Sequence, residues 1–219
     1  MVNPEDFIIT RKRKKYKFAL FANSPLCFEF DEWDQAWPVD VIELGAGTGQ
    51  FVVELAARHP ECSYVAIDVK ADRLQKGAYE AEGRGLTNLR FLRARADQLG
   101  ELVMPNSVRE LWLTFSDPFP RPRSRGRRLT HPTFLGHYQQ MLRVDGVLKI
   151  KHDNPDFFQW TLEQLVAERW HILELSFDLH ESDLSDDYKI LTPYERRWLG
   201  EGRITQCVVA CPPIAAIRR

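Results

Sequence analysis

Residues 41–49 read VIELGAGTG, a short apolar run that ends in three glycines spaced two residues apart. The apolar residues suit a buried strand, and apolar positions at helical spacing follow the last glycine until Pro60. Glycine adopts positive φ angles at little steric cost, so this turn can bring backbone close to a ligand. The stretch therefore predicts a strand, a ligand-binding turn and a helix.

The same alternation continues along the chain. Further strands are predicted at 64–67, 89–93, 110–115, 147–151, 170–177 and 203–210, and helices at 50–59, 71–82, 97–102, 132–142 and 155–168. A turn is expected at Asp145 and Gly146. Strands alternating with helices predict an α/β fold with a doubly wound, mostly parallel, seven-stranded sheet. No Pro/Gly/Ser-rich linker divides it, so we predict a basic arm and lead-in over residues 1–38 and a single domain over 39–219.

Composition places the chain among ordinary globular proteins. It has 219 residues, 44% hydrophobic and 28% charged, with a net charge of -1. No apolar run approaches the roughly 20 residues of a membrane span, and the N-terminus is polar and then basic, unlike a signal peptide. Four cysteines show no disulfide-framework or zinc-like spacing. These features predict a cytoplasmic protein with no membrane partner and no metal.

Positive charge is concentrated in two segments, residues 11–17 and 121–128. Such clusters attract a polyanion whatever the net charge. Proline, serine and glycine interrupt the second segment, which predicts a mobile loop. The predicted phosphate contacts are Arg123, Arg125, Arg127, Arg128, Lys14 and Lys15. The alternatives are solvated surface arginines in the loop and a frayed basic terminus for the arm.

An acid, Asp68, ends the second predicted strand, 23 residues after Gly45. A carboxylate there can accept hydrogen bonds from ribose hydroxyls, although it could instead cap the next helix. With Glu43 ahead of a G-x-G-x-G turn, the pattern resembles the nucleoside-binding half of Rossmann-like class I S-adenosylmethionine-dependent methyltransferases, whose last strand is antiparallel. The alternative is a nicotinamide dehydrogenase. The resemblance implies that S-adenosylmethionine is the cofactor and that these residues bind it: Glu43, Gly45, Gly47, Asp68, Arg95, Ala96, Asp97 and Asp117.

Residues 116–135 read SDPFPRPRSRGRRLTHPTFL. They resemble the signature of bacterial tRNA (guanine-N7)-methyltransferases, in which P/S-D-P-W-P-K precedes basic residues, R-R-L and a helix with F-L. Residues 192–195, TPYE, match the T-x-F/Y-E motif of that family, and the likeness covers about residues 40–210. The chain departs from the pattern at Phe119 (usually Trp), Arg121 (usually Lys) and His152 (usually Thr).

The resemblance implies methyl transfer to N7 of a guanine in the variable loop of tRNA. Asp117 would be catalytic, because N7 has a lone pair and no proton, and a carboxylate can stabilise the positive charge that develops on the ring. The implied substrate-binding residues are Arg121, Asp153, Thr192, Pro193, Tyr194 and Glu195.

Each of these assignments has an alternative. Asp117 could be a turn residue before a proline, Asp153 a turn and helix cap, and Thr192 and Glu195 a capping box. At the level of function, the alternatives are an amino-methyltransferase acting on another base or on protein glutamine, and a non-catalytic RNA-binding protein. The sequence leaves open whether the protein is a monomer or a homodimer.

Overall fold

A computed structural model of the protein describes residues 1–9 and 11–213. The end of the predicted domain, residues 214–219, lies outside the described residues. Internal contacts divide the chain into two compact units, with the boundary between Leu102 and Val103, and each is described by itself. The predicted division into a lead-in over 1–38 and one domain over 39–219 stays a prediction.

The first unit contains four parallel strands in the order β1-β4-β3-β2. They are β1 (Cys27–Glu29), β2 (Val41–Leu44), β3 (Tyr64–Asp68) and β4 (Leu89–Arg93). The helices are α1 (Lys12–Asn23), α2 (Gln50–Arg58), α3 (Ala71–Gly83) and α4 (Leu99–Leu102). All four side chains of β2 are buried, as its apolar run predicts. Parallel pairing brings the carboxyl ends of these strands to one edge, where α/β sheets bind ligands.

The second unit contains four strands in the order β5-β6-β8-β7. They are β5 (Val108–Thr114), β6 (Leu142–His152), β7 (His171–Ser176) and β8 (Gln206–Cys211). The helices are α5 (Pro132–Met141), α6 (Pro155–Ala167) and α7 (Pro193–Gly200). Strand β5 is parallel to β6, and β8 is antiparallel to both β6 and β7. The predicted α/β class, mostly parallel with an antiparallel last strand, is confirmed.

The described residues form eight strands, whereas seven were predicted. The additional strand is β1, three residues of the lead-in that pair with β4. Helix α1 includes part of the basic arm and buries Ala19 and Phe21. Strand β1 has only three residues and α1 buries only two side chains, so their hydrophobic periodicity is too weak to be recognised in the sequence. Both elements are stabilised mainly by tertiary packing.

Strand β6 begins at Leu142, five residues earlier than predicted, and the turn expected at Asp145 and Gly146 lies within it. Its pairing with β5 is irregular and shifts between Val108 and Glu110. A Cβ atom on Gly146 would lie 2.9 Å both from the carbonyl oxygen of Val108 and from the backbone nitrogen of Arg143, three residues earlier on the same strand. The glycine is therefore needed because residues 143–146 bulge out of the pairing with β5 and fold back on their own backbone, which agrees with the expected turn.

Candidate functional site

The turn after β2 has the backbone conformation that its glycines allow. Gly45, Gly47 and Gly49 have φ angles of 72°, 58° and 68°. A Cβ atom on Gly49 would lie 2.7 Å from the ring of Phe91, whereas one on Gly47 would meet no atom within 4 Å. Gly49 therefore permits packing of the turn, and the backbone at Gly47 leaves space for a ligand to approach.

Asp68, at the end of β3, joins this turn to the start of α3. Its Oδ2 accepts a hydrogen bond from the Gly47 amide and its Oδ1 one from the Lys70 amide, both at 2.9 Å. Burial raises the pKa of Asp68, although these two hydrogen bonds oppose the effect. Lys70, not Asp68, is the N-cap residue of α3. Each carboxylate oxygen retains a lone pair, so the side chain can still accept from ligand hydroxyls. With the open backbone at Gly47, it fits a nucleoside such as that of S-adenosylmethionine.

Glu43 is buried within β2, with 1% of its surface exposed. Its Oε2 accepts from the amide of Val52, in the first turn of α2, at 3.3 Å. The first amides of a helix have no partner within the helix, and the positive end of the helix dipole favours a carboxylate. Glu43 thus positions α2, and its direct contact with a cofactor stays a prediction.

After β4, the structure brings Arg95 and Asp97 together in an exposed ion pair, with Nη2 and Oδ2 2.6 Å apart. Ala96 begins the short 3₁₀ turn between them. Three of the predicted cofactor-binding residues thus lie in one turn, in which Arg95 and Asp97 are exposed and Ala96 is half-buried. Their contact with a cofactor stays a prediction.

In the second unit, Asp117 is exposed on the loop that follows β5. Phe115 and Phe119, two residues to either side of it, have φ angles of 50° and 38°. A positive φ in a residue other than glycine costs about 1–3 kcal/mol and is concentrated at functional sites. The backbone around Asp117 is therefore strained while its carboxylate faces solvent.

The arginine segment forms a 3₁₀ helix over Pro122–Arg127 and not the mobile loop that was predicted. Its four exposed arginines are Arg121, Arg123, Arg125 and Arg127. Arg128, by contrast, is 5% exposed and donates from Nε to the carbonyl of Pro118 at 2.8 Å. A buried guanidinium committed to backbone is poorly placed for phosphate, so we replace the predicted phosphate contact of Arg128 with a positioning role.

Asp153 lies just after β6 and is 8% exposed. Arg203 donates from Nη1 to its Oδ2 at 3.0 Å, and the hydroxyl of Tyr194 lies 3.5 Å from the same oxygen. Helix α6 is capped by Asn154, whose side chain accepts from the amide of Phe157 at 2.8 Å. The capping alternative for Asp153 is thus wrong, and the carboxylate is held by a cation and a phenol.

Thr192 caps α7 by accepting from the amide of Glu195 at 3.0 Å. Only this half of the predicted capping box forms, because the carboxylate of Glu195 points inward and is 1% exposed. Its Oε2 lies 2.8 Å from Nζ of Lys151, and its Oε1 lies 3.0 Å from Nε2 of His180. Glu195 therefore anchors the start of α7 in the interior of the unit.

Lys151 is fully buried and also donates to the carbonyls of Tyr188 and Ile190, both at 2.9 Å. The segment before α7 is thereby tied to β6. The ring of Tyr194 lies 5.2 Å from that of Phe115, between centroids, and is 46% exposed. Glu195 and Tyr194 thus have different environments, one enclosed and one available to a substrate. Pro193 occupies the first helical position between Thr192 and these two residues.

Sequence reasoning missed Lys151, His180 and Arg203. A lysine inside an apolar strand is a usable signal, because a buried charge requires a partner. His180 lies between predicted elements and Arg203 at the start of the strand predicted over 203–210, and only the folded chain brings them to Glu195 and Asp153.

Two further observations concern the described residues only. Over 1–9 and 11–213, no group of three or more His, Cys, Asp or Glu side chains could hold a metal ion. Within the same part of the chain, no helix is both long and apolar enough to cross a membrane.

The amino-acid sequence and the fold are both similar to those of known methyltransferases. A family described as "Putative methyltransferase" matches residues 38–208. A tRNA (guanine-N(7)-)-methyltransferase of Brevibacillus brevis is 35% identical over 89% of this chain and 92% of its own length. One of Mycoplasmopsis agalactiae is 36% identical over 74% of this chain and 78% of its own. Among solved structures, the 16S rRNA methyltransferase KamB has a TM-score of 0.62 at 18% identity, covering 82% of this chain and 91% of that one. At such identity the last likeness indicates the fold alone.

Proposed function

Since this chain belongs to the tRNA (guanine-N(7)-)-methyltransferase family, we propose that it transfers a methyl group from S-adenosylmethionine to N7 of a guanine in the variable loop of tRNA. The family predicted from residues 116–135 and 192–195 is confirmed. The observation in the structure that carries the proposal is the exposed Asp117 on a strained loop, followed directly by four exposed arginines. We also propose a cytoplasmic location, where the protein would encounter a tRNA substrate.

Residues of the first unit would hold the cofactor. The open backbone at Gly47 and the spare acceptors of Asp68 suit a ribose, and the exposed turn Arg95–Asp97 suits the adenine. Bound S-adenosylmethionine would supply an electrophilic methyl group on a positively charged sulfur.

Residues of the second unit would hold and stabilise the guanine. N7 of the guanine would attack the methyl group with its lone pair, the electron pair of the broken carbon–sulfur bond would go to sulfur, and no proton would move. Because the imidazole ring becomes positive, the carboxylates of Asp117 and Asp153 can stabilise it and accept from the N–H groups of the base. The exposed ring of Tyr194 suits contact with the base, and Arg121 suits a neighbouring phosphate. Thr192 and Glu195 support this surface through the cap of α7 and the buried ion pair.

Exposed cations would position the tRNA backbone. Arg123, Arg125 and Arg127 continue from the Asp117 loop, and Lys14 is exposed on α1. Lys15 is less available, since Nζ pairs with the carboxylate of Glu5 at 3.0 Å. Phosphate contacts determine affinity and register but do not select a base.

The direct test is incubation with radiolabelled S-adenosylmethionine and unmodified tRNA, followed by borohydride–aniline cleavage, which cuts the chain at 7-methylguanosine. We expect label transfer and cleavage within the variable loop. Label in another nucleoside would favour an amino-methyltransferase. Cofactor or tRNA binding without transfer would favour the non-catalytic alternative.

A further inference from the structure

His152 links two backbone segments at the end of β6. The ring is 3% exposed, and its Nδ1 accepts a hydrogen bond from the amide of Asn154 at 2.9 Å. Since Nδ1 is an acceptor, the proton of the neutral ring must be on Nε2. Nε2 then donates to the carbonyl oxygen of Ser116 at 2.8 Å. One ring thus fixes both its own turn and the residue that precedes Asp117.

Arg128 holds the other side of the same loop. It donates from Nε to the carbonyl of Pro118 at 2.8 Å and from Nη2 to that of Phe119 at 3.3 Å. Its guanidinium also lies 4.5 Å from the ring centre of Trp160. Arginine suits this position because its planar group offers several donors in a fixed geometry.

The two side chains share one packing partner. The ring of Phe157 lies 4.4 Å from that of His152, between centroids, and 5.5 Å from the guanidinium carbon of Arg128. The residues with positive φ angles lie at the two ends of the held segment: Phe115 directly precedes Ser116, and Phe119 carries one of the carbonyls that Arg128 binds. Such a backbone persists only where surrounding contacts hold it in place.

We propose that His152 and Arg128 are positioning residues, which hold the loop so that the Asp117 carboxylate is presented in a single direction. The inference rests on the proposed function, because it gives that loop its role in methyl transfer. In the sequence signature of the family, threonine usually occupies the position of His152. A hydroxyl cannot occupy the places of both Nδ1 and Nε2, so a threonine at this position could not make the same double link.

Two amide substitutions separate the two links of His152. In His152→Asn the side chain can still accept from the amide of Asn154, but it cannot reach the carbonyl of Ser116. In His152→Gln the amide nitrogen can take the place of Nε2 and donate to Ser116. We expect His152→Asn to lower kcat about 10- to 100-fold, since a displacement of about 1 Å is enough for such a loss. His152→Gln should remain within a few-fold of the unsubstituted protein.

Steady-state kinetics with tRNA and a binding titration with S-adenosylmethionine are the first readouts. In His152→Asn, the KM for tRNA and the Kd for S-adenosylmethionine should change less than about threefold. The proposal would be overturned if kcat fell equally in both variants or stayed unchanged in His152→Asn. It would also be overturned if the loss of activity came from weaker binding of the cofactor.

Amide hydrogen exchange of residues 115–119 provides a readout independent of the reaction. Exchange should accelerate in His152→Asn and in Arg128→Lys, and not in His152→Gln. If the unsubstituted protein formed no 7-methylguanosine, the proposed function would be wrong. The exchange measurement would still show whether His152 and Arg128 hold the loop. Unchanged exchange in all three variants would refute the positioning role.

Discussion

Replacing Lys151 with methionine should destabilise the second unit strongly, because Lys151 is the buried partner of Glu195. Both side chains are almost fully enclosed, and Nζ lies 2.8 Å from Oε2. Removing one member of a buried pair leaves an uncompensated charge and typically costs about 3–5 kcal/mol. His180 would remain at Oε1. We therefore expect Lys151→Met to lower the free energy of unfolding by about 3–4 kcal/mol, at the low end of that range.

The opposite substitution should cost less. In Glu195→Gln the lysine keeps its hydrogen bonds to the carbonyls of Tyr188 and Ile190, both at 2.9 Å. The charge of the lysine is still partly compensated. We therefore expect Glu195→Gln to lower the free energy of unfolding by about 1–3 kcal/mol, the cost of leaving one buried hydrogen-bonding group without its partner. The double variant Lys151→Met, Glu195→Leu removes both charges and should be more stable than Lys151→Met alone, since apolar replacement of a whole buried pair is often neutral.

Urea unfolding followed by circular dichroism measures these differences, with m-values compared to check that the unfolding transition is the same. The matched control is Lys149, a partly buried lysine on the same strand, whose Nζ lies 2.9 Å from Oε2 of Glu110. Lys149→Met should cost less than Lys151→Met because both partners retain access to water. The reasoning would be refuted by a loss below about 1 kcal/mol in Lys151→Met, or by a double variant that is no more stable than Lys151→Met.

Three other outcomes are expected. Asp117→Asn should lower kcat at least about 100-fold, by loss of charge stabilisation, with a smaller change in the Kd for S-adenosylmethionine by calorimetry. A loss of cofactor affinity as large as the loss in kcat would contradict this. Arg123→Ala should weaken tRNA binding and reduce the slope of log K against log salt by about 1, and an unchanged slope would exclude a phosphate contact. Burial lowers the pKa of His152 below its ordinary value of 6.5. The hydrogen bond to Ser116 and the charge of Asp153 oppose this shift, and the charge of Arg128 reinforces it. The neutral ring therefore stabilises the folded protein fully above about pH 6.5, and this stabilisation is lost as the pH falls towards the lowered pKa. Between pH 7 and pH 5, the urea midpoint of His152→Gln should therefore decrease less than that of the unsubstituted protein.

Local sequence patterns determined the fold class and most of the elements. The apolar run before Gly45 predicted a buried strand, and the positive φ angles of the glycine turn agree with the conformational freedom expected of those residues. Asp68 and Asp117 were placed at strand ends because motifs and strand boundaries are read from neighbouring residues. The family followed from motifs of the same local kind, and the comparisons confirmed it.

Tertiary structure alone decided which side chains are enclosed and what holds them. The sequence shows Arg128 and Glu195 as members of an arginine segment and a capping box, yet both are buried and committed to other partners. His152 lies 36 residues from the carbonyl to which it donates. Helical and strand periodicities reflect contacts a few residues apart, whereas burial and charge pairing depend on segments that meet only when the chain has folded.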